Sequence, residues 1–441
     1  MKRSKLSLGL LLIGGLALAG CSNNQKTSDV STSNVSPSVE SSTSVQSSTE
    51  EKDINYTLKV YDLDGTELLN KSLKTKKKDS LFVDLNREST LDADASDLGH
   101  YINSINNSII DQNYFLAIYQ NGKMTSTGID GVVLADGDEI VIRNECWAQF
   151  DETDKLVDKA FYQYIKNYLI EDIKDDSVQD LWTDADHCFS NYWTYVALGV
   201  LKDNGYNIDI KSENTALYNA IKDFDLTKLT KTAYGKYYYY AKAFGVNLDS
   251  FKTQYESFIE NSLETEYTPG YSQEYSIPFE IAPAKSLNIT SDKITALVNT
   301  DYVPPFTTEW SGVTYSNYDG YNWFQTINLL FGKEKNETTL TAISQLDYSN
   351  ETPTTVALSI ATFAASNENV RKSEYEQNEK DLVELLLESY DSNLGLIKVF
   401  STDEGINYST NQIYASLFAY KFQRDSTVKY IPDPKAVNIF A

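Results

Sequence analysis

Three short strands joined by tight turns can be recognised between Tyr114 and Trp147. Residues 114–120 are largely aromatic or apolar and run into Asn121-Gly122, the dipeptide that accepts positive φ at both central positions of a two-residue hairpin. Asp136-Gly137-Asp138 marks a later turn, and residues 139–143 again alternate apolar with polar side chains. The sequence therefore predicts a compact β unit that closes just before Trp147.

The residues upstream extend this unit into a complete domain. Residues 56–61 and 67–73 alternate around Asp64-Gly65, which predicts a first hairpin. Residues 81–86 suit a short helix, and residues 101–105 another strand. The order strand, strand, helix and then several strands predicts a ubiquitin-like β-grasp domain over residues 53–147. The lysines within residues 74–78 are expected to lie in a solvated turn.

Several short motifs between Asp53 and Glu145 together point to a known family. They are Tyr101-Ile102-Asn103-Ser104-Ile105-Asn106-Asn107, Tyr114-Phe115, Asn121-Gly122-Lys123, Gly128-Ile129-Asp130 and Leu134-Ala135-Asp136-Gly137-Asp138-Glu139. On these motifs the stretch resembles the C-terminal β-domain of transcobalamin and intrinsic factor, as it recurs in surface proteins of Gram-positive bacteria. The family often carries a tryptophan where this chain has Tyr114-Phe115, so a ring-stacking role does not transfer to that position. The resemblance implies that a corrinoid such as cobalamin is the first candidate ligand, passed on to an uptake transporter.

From about residue 153 the period of the apolar residues changes from two to that of a helix. Helical segments recur as far as residue 430, and they divide into about six pairs, a spacing typical of arrays of helix pairs. An irregular insert is expected from Glu264 to Trp310, because it carries five prolines. The helical segments are predicted at residues 156–169, 191–201, 233–244, 321–331, 354–365, 381–390 and 412–422.

The helical region resembles an α/α-toroid of the terpenoid cyclase and prenyltransferase class, which is also the fold of the other domain of transcobalamin. The toroid resemblance implies an inner and an outer ring of helices, with the inner N-termini around a concave mouth. The two domains stand in the opposite order from transcobalamin. The overall prediction is an α+β multidomain chain, with a β-grasp domain followed by a toroid over residues 153–430.

The first 52 residues have the composition of a leader and a tether. Residues 1–21 combine a basic start, an apolar core too short to span a membrane, and Leu18-Ala19-Gly20-Cys21, which matches the bacterial lipobox. The match implies cleavage before Cys21 and acylation of its thiol, for example with palmitate, which would hold the protein on the outer face of the cell membrane. Residues 22–52 are rich in Ser and Thr without apolar periodicity, which predicts a disordered tether.

The charge of the chain limits its partners. A formal net charge of −25 argues against nucleic acid and against an anionic membrane face, because phosphates would be repelled. The expected partners are the bilayer through acylated Cys21, a small-molecule ligand and an uptake transporter.

The sequence favours a binding protein over an enzyme. It has no DxDD motif of protonating cyclases, no GxSxG elbow and no P-loop. Asp184, Asp186 and His187 could form one corner of a metal site, but the chain has only two histidines and a four-ligand site is hard to assemble, so no metal is predicted. Cys146 and Cys188 could form a disulfide outside the membrane or stay reduced.

Aromatic and amide side chains near the predicted inner-helix starts are the candidate ligand-binding residues, because flat rings and amides suit a large, mostly uncharged ligand. The leading hypothesis is a lipid-anchored surface protein that holds this ligand between the toroid mouth and the β-domain. The alternatives are an adhesive module for glycan or protein, and a toroid enzyme acting on glycans. The candidate residues are Asn191, Tyr192, Trp193, Tyr234, Tyr237, Tyr321, Asn322, Trp323, Gln412 and Tyr414.

Overall fold

The computed structural model describes residues 53–97, 99–108, 111–182, 188–206, 208–266, 273–299, 307–428 and 433–441. It confirms the predicted α+β class, with a sheet domain at residues 53–146 followed by a helical domain. The sheet domain contains β1 (Asp53–Tyr61), β2 (Glu67–Lys76), α1 (Leu81–Glu88), β3 (Leu91–Ser96), β4 (Gly99–Ile105), β5 (Tyr114–Gln120), β6 (Lys123–Met124) and β7 (Glu139–Cys146).

The sheet domain is a five-stranded mixed sheet in the order β2-β1-β7-β5-β6, with β1 and β7 parallel. Leu81 and Leu85 of α1 belong to the same buried cluster as the inward side chains of β1 and β7. The predicted turn at Asn121-Gly122 has positive φ at both residues, 53° and 78°. Asp138 accepts hydrogen bonds from Gln120 and Asn121, which ties this turn to the next one. The domain has the architecture predicted from the order of its elements.

The helical domain alternates between long buried helices and more amphipathic ones. Its elements are α2 (Glu152–Tyr164), α3 (Ile170–Asp175), α4 (Tyr192–Asp203), α5 (Thr215–Lys222), α6 (Ala233–Phe244), α7 (Asp249–Ser262), α8 (Gln273–Ser286), α9 (Asp292–Asn299), β8 (Thr307–Trp310), β9 (Val313–Ser316), α10 (Tyr318–Leu330), α11 (Glu337–Ser344), α12 (Pro353–Ala365), α13 (Leu382–Leu387), β10 (Tyr390–Asp391), β11 (Leu396–Ile397) and α14 (Tyr408–Thr427).

Six helices form a closed ring. Each of α4, α6, α8, α10, α12 and α14 contacts the next, and α14 returns to contact α4. Almost every residue of α4, α12 and α14 is buried, as expected for helices that are covered on all sides. By contrast, α7 buries one stripe, Phe251, Tyr255, Phe258 and Ile259, at helical spacing. The ring therefore lies inside a layer of shorter or amphipathic helices.

The prediction of an irregular insert from Glu264 to Trp310 was wrong. Residues 273–286 form α8, one of the six ring helices, with Pro278 and Pro283 inside it. A proline at position 283 cannot donate to the carbonyl of Phe279, four residues earlier. Gly235 of α6 packs at this place, where a Cβ added to the glycine would lie 2.1 Å from the Phe279 oxygen. In sequence analysis, prolines predict that a helix ends. Here α8 continues through both prolines, and α6 crosses it closely where the backbone hydrogen bond is missing.

Buried charges join the two domains. The Lys421 ammonium in α14 lies 2.7 Å from Asp111 of the sheet domain, 3.1 Å from Asp158 in α2 and 2.7 Å from Asp425. The Arg424 guanidinium bonds both Asp158 and Asp425. All five side chains are at least nine-tenths buried. The sheet domain is thus fixed to the helical domain by a network that excludes water.

A second contact between the domains lies at the end of β1. Asp62, which follows β1 directly, accepts hydrogen bonds from Tyr162 at 2.6 Å and from Lys166 at 2.8 Å. The helical domain therefore meets the end of β1 that is remote from Asp53. Nine residues of strand separate Asp53 from Asp62, which corresponds to about 30 Å.

The last described residues, 433–441, enter the ring. The backbone N–H of Val437 donates to the Ala364 carbonyl at the end of α12, and Tyr239 donates to the Phe440 carbonyl. The Phe440 ring is fully buried against the rings of Trp193 and Trp323. This segment fills the ring from the end where the inner helices finish. No helix in the described ranges is both long and apolar enough to cross a membrane.

Candidate functional site

The N-termini of the ring helices meet at one end of the ring. Residues 433–441, which we call the tail, fill the opposite end. Tyr192 at the start of α4 contacts the ring of Tyr408 at the start of α14, with centroids 5.5 Å apart. Tyr275 at the start of α8 meets Trp323 of α10 edge-on, at 5.3 Å. Asp319 of α10 accepts a hydrogen bond from Thr355 at the start of α12. We call this end the N-terminal rim and define it by Tyr192, Tyr275, Asp319, Trp323, Thr354 and Tyr408.

Two buried hydrogen-bond donors of the N-terminal rim have no partner among the described residues. They are Nε1 of Trp323, a side chain 6% exposed, and Oγ1 of Thr354, a side chain 7% exposed. A buried donor left without an acceptor costs about 1–3 kcal/mol. Such groups are usually satisfied by an ordered water or by a ligand. The rim therefore offers one indole N–H and one hydroxyl for which the surrounding described protein provides no partner.

The rim also carries a carboxyl group with altered acidity. Burial raises the pKa of Asp319 to about 6, although the hydrogen bond from Thr355 acts in the opposite direction. Its Oδ1 atom is buried and has no partner within the described part of the chain. Burial likewise raises the pKa values of Tyr192 and Tyr275 to about 12, so both are neutral hydroxyls near neutral pH. The rim thus combines neutral aromatic hydroxyls with a carboxyl that changes charge just below neutrality.

Aromatic rings close the floor beneath the rim. Trp193 and Trp323 meet edge-on at 5.6 Å, and the Phe279 ring contacts both of them. Phe440 of the tail lies against the same three rings. Tyr408 is 43% exposed and is the most accessible side chain of the rim. A ligand would therefore rest on this floor at the rim and would not pass through the ring.

The structure brings together only some of the predicted ligand-binding residues. Tyr192, Trp193 and Trp323 meet in the ring interior. Tyr234 and Tyr237 instead pack against Phe251 of the outer helix α7. Tyr321 hydrogen-bonds with Thr339 of α11, and Tyr414 stacks on Tyr164 of α2 at 3.9 Å. Tyr234, Tyr237, Tyr321 and Tyr414 therefore lie in the core between the layers.

The predicted amides are mostly engaged with the protein itself. Asn191 donates to Asp172 at 3.0 Å and takes part in a network with Thr194 and Asn411. Asn322 donates to Ser359 of α12 at 3.0 Å and accepts from Thr362. The Gln412 side chain is buried in the first turn of α14. Asn191 and Asn322 thus link neighbouring ring helices, α4 with α14 and α10 with α12.

Sequence reasoning missed four of the six residues that define the N-terminal rim. Tyr275 lay within the supposed insert, and Tyr408 precedes the helical segment predicted at residues 412–422. Asp319 likewise precedes the segment predicted at residues 321–331, whereas α10 begins after Asn317. Thr354 carries no signal in a single sequence. A helical interpretation of residues 273–286 would have identified Tyr275 as the start of a ring helix.

One of the contacts between the two domains, at Lys421, lies far from the N-terminal rim. Lys421 follows Tyr408 on α14 at a distance of about 20 Å along the helix axis. Tyr206, which bonds Asp111, likewise follows the C-terminal end of α4. The sheet domain contacts α2 and the C-terminal end of α14. The contact of Asp62 with Tyr162 and Lys166 lies nearer the rim, because Tyr164 of α2 donates to Asn411 near the start of α14.

The structure describes both thiols that could form a disulfide, but not the three residues that could contribute to a metal site. Cys146 and Cys188, both described, are not joined by a disulfide. The Cys146 thiol donates to the carbonyl of Ala148 at 3.1 Å, while Cys188 is buried in the helical core in an isolated bridge with Trp182. Asp184, Asp186 and His187 lie outside the described residues, as does Cys21. Within the described ranges, no three His, Cys, Asp or Glu side chains are grouped so that they could hold a metal ion.

Comparison with known proteins gives one family match and a solved structure. Residues 72–145 match a domain family of unknown function, DUF4430. A crystal structure from Ruminococcus gnavus, described as a "putative metal binding protein", is similar to this chain at 20% identity, covering 21% of this chain and 97% of that one, with a TM-score of 0.19. The search of curated proteins gives no match. Both similarities cover about a fifth of the chain or less.

Proposed function

We propose that this protein is a ligand-binding module that is carried on the outer face of the cell membrane by a lipid anchor at Cys21. The proposal joins a lipobox-like leader, a tether and a folded body of residues 51–441 that forms one compact unit. We further propose that the ring is an α/α-toroid of the terpenoid cyclase class, which is supported by six inner helices closed on themselves within an outer layer.

The ligand site that we propose is the N-terminal rim. The observation that supports this site most strongly is that two buried donors, Trp323 Nε1 and Thr354 Oγ1, have no hydrogen-bond partner in the described chain. Both belong to a rim lined by aromatic rings. Rings supply apolar area and a few oriented polar groups supply specificity, which is the usual composition of a small-molecule site. A corrinoid is the first candidate, because of the resemblance of residues 53–145 to the β-domain of transcobalamin. An uptake transporter would then be the partner that receives it.

Titration of residues 51–441 with cobalamin and with cobinamide tests the ligand, with corrinoid absorbance and tryptophan fluorescence as readouts. Trp323→Phe keeps an aromatic ring and removes the N–H, so we expect affinity to fall about five- to ten-fold for the loss of one hydrogen bond. Trp147→Phe is the matched control, because Trp147 lies in the link between the domains and donates to Gln112.

The results distinguish an error in the proposed ligand from an error in the proposed site. No response to either corrinoid removes the corrinoid claim. Binding that is weakened equally by Trp323→Phe and by Trp147→Phe removes the rim. The anchor has its own test: in cells, Cys21→Ala should move the protein from the membrane fraction to the medium. Retention of the variant in the membrane fraction contradicts lipid anchoring.

A glycan-processing enzyme is the second candidate, and Asp319 is the observation that favours it. A carboxyl with a pKa of about 6 is suited to general acid catalysis near neutral pH. Glu274 lies in the same part of the rim, since both carboxyl groups act on Tyr275. Incubation with cell-wall glycan should then release reducing ends, and Asp319→Asn should abolish the release. Equal release by the variant, or none by the native chain, rejects this candidate.

A further inference from the structure

The chain enters the folded body beside a group of lysines. Asp53, the first described residue, pairs with Lys76 at the end of the β1–β2 hairpin, and Lys74 forms an ion pair with Asp53 at 2.9 Å. The 31 residues with the composition of a tether lead directly to this point. The residues after β2 therefore lie where the tether joins the body.

The end of β2 is basic in a strongly acidic protein, although exposed Asp136 lies at the same end of the sheet, where it accepts a hydrogen bond from Asn55. Five exposed lysines, which we call the lysine ridge, lie within residues 71–78, a stretch without an acidic residue. The carboxyl groups that pair with the ridge include Glu88, bound to Lys71, and Asp53, bound to Lys74. Exposed pairs of this kind contribute about 0–1 kcal/mol and exchange readily. The ridge consists of Lys71, Lys74, Lys76, Lys77 and Lys78.

The ridge lies at the end of β1 that is remote from the helical domain. The ridge is at the Asp53 end of β1, about 30 Å from Asp62, where the sheet domain meets α2. The ridge is therefore remote from the Asp62 contact between the two domains.

We propose that the lysine ridge docks on the anionic lipid headgroups of the membrane to which the chain is tethered. Each lysine near an anionic surface contributes about 1 kcal/mol, and a lipid anchor keeps the ridge at high local concentration. The net charge of −25 argues against a broad contact with an anionic surface, and the acidic remainder of the chain is repelled, so the contact is expected at the ridge alone. This inference rests on the proposed anchor at Cys21.

Vesicle sedimentation tests the ridge with neither anchor nor ligand present. Residues 51–441 should sediment with vesicles that contain phosphatidylglycerol and stay in solution with pure phosphatidylcholine vesicles. Binding should vanish in about 1 M salt, where the Debye length is about 3 Å. The triple variant Lys74→Gln, Lys76→Gln, Lys77→Gln should bind about a hundred-fold more weakly, since each lysine accounts for a factor of about five.

The control removes the same charge elsewhere, at the exposed residues Lys211, Lys222 and Lys228, and should keep the binding. Equal losses in the two triple variants, or no binding to anionic vesicles, overturn the proposal. Lysines on an edge strand such as β2 also prevent pairing with other chains. If the ridge variant aggregates yet binds vesicles normally, the lysines serve that role and the docking proposal is wrong. None of these outcomes bears on acylation or on the rim.

Discussion

Replacing Lys421 by Met should strongly destabilise the contact between the two domains. The ammonium group is fully buried among Asp111, Asp158 and Asp425. Burial disfavours the charged amine, but these carboxylates outweigh that effect and raise the pKa of Lys421 above its usual value. The methionine variant would leave three buried carboxyl groups with Arg424 as their remaining close cation in this network.

The magnitude follows from the burial. Removing one partner of a buried ion pair costs about 3–5 kcal/mol, because the other charge remains desolvated. Burial already raises the pKa of Asp158, which indicates that the network holds its negative charge at a cost. With a slope of a few kcal/mol per molar, the urea midpoint should fall by about 1 M or more.

Urea unfolding of residues 51–441, followed by tryptophan fluorescence and circular dichroism, measures this change. Two probes are needed, because a chain with two domains need not unfold in a single step. Lys155→Met is the matched control: Lys155 forms an exposed pair with Glu152, and its loss should cost about 0–1 kcal/mol. Adding Asp111→Asn to Lys421→Met should recover part of the loss, since contacting residues couple by about 0.5–3 kcal/mol. Equal midpoints for Lys421→Met and Lys155→Met refute the reasoning.

Three further changes test the ring. Gly235→Ala places a methyl group against the Phe279 carbonyl, so the free energy of unfolding in urea should fall by about 1–3 kcal/mol. The control Gly199→Ala, at a position with open space, should not lower the stability of the protein. An unchanged urea midpoint in Gly235→Ala contradicts the close crossing of α6 and α8. Phe440→Ala should cost about 3–5 kcal/mol and shift tryptophan emission to the red, and an unchanged spectrum argues against the tail filling the ring. Burial raises the pKa of Asp319, so the contribution of this carboxyl group to stability is full below about pH 4 and is lost as the pH rises through about 6. In Asp319→Asn, the stability should therefore fall less over this pH range. Parallel stability profiles of the two proteins against pH contradict the raised pKa.

The sheet domain was predictable because its signals are local. Asn121-Gly122 fixes a turn through two residues, and the strands around it alternate with period two. In the helical domain, the positions of the helices could be predicted but not the direction of their side chains. Tyr237 and Trp323 both occupy buried helix positions near an N-terminus, yet one faces the outer layer and the other the ring interior.

A helix that is apolar on every face gives no phase from which a direction could be read. The ionic network was beyond sequence reasoning for a different reason. Asp111 and Lys421 are more than 300 residues apart, and each resembles an ordinary surface charge until the fold brings them together. The position of residues 433–441 inside the ring could not be predicted, because this segment has no periodicity and its placement depends on the contacts of Phe440 with the ring interior.

Closure of the ring has a consequence for the order of folding. Helix α4 can meet α14 only after more than 200 intervening residues have been made, and Phe440 reaches Trp193 later still. Contacts between such distant residues form slowly, because loop closure precedes any gain from burial. We therefore expect the growing chain to expose the indoles of Trp193 and Trp323 to water until its last helix is in place. The late contacts of α14 and Phe440 therefore prolong the period in which aggregation competes with folding.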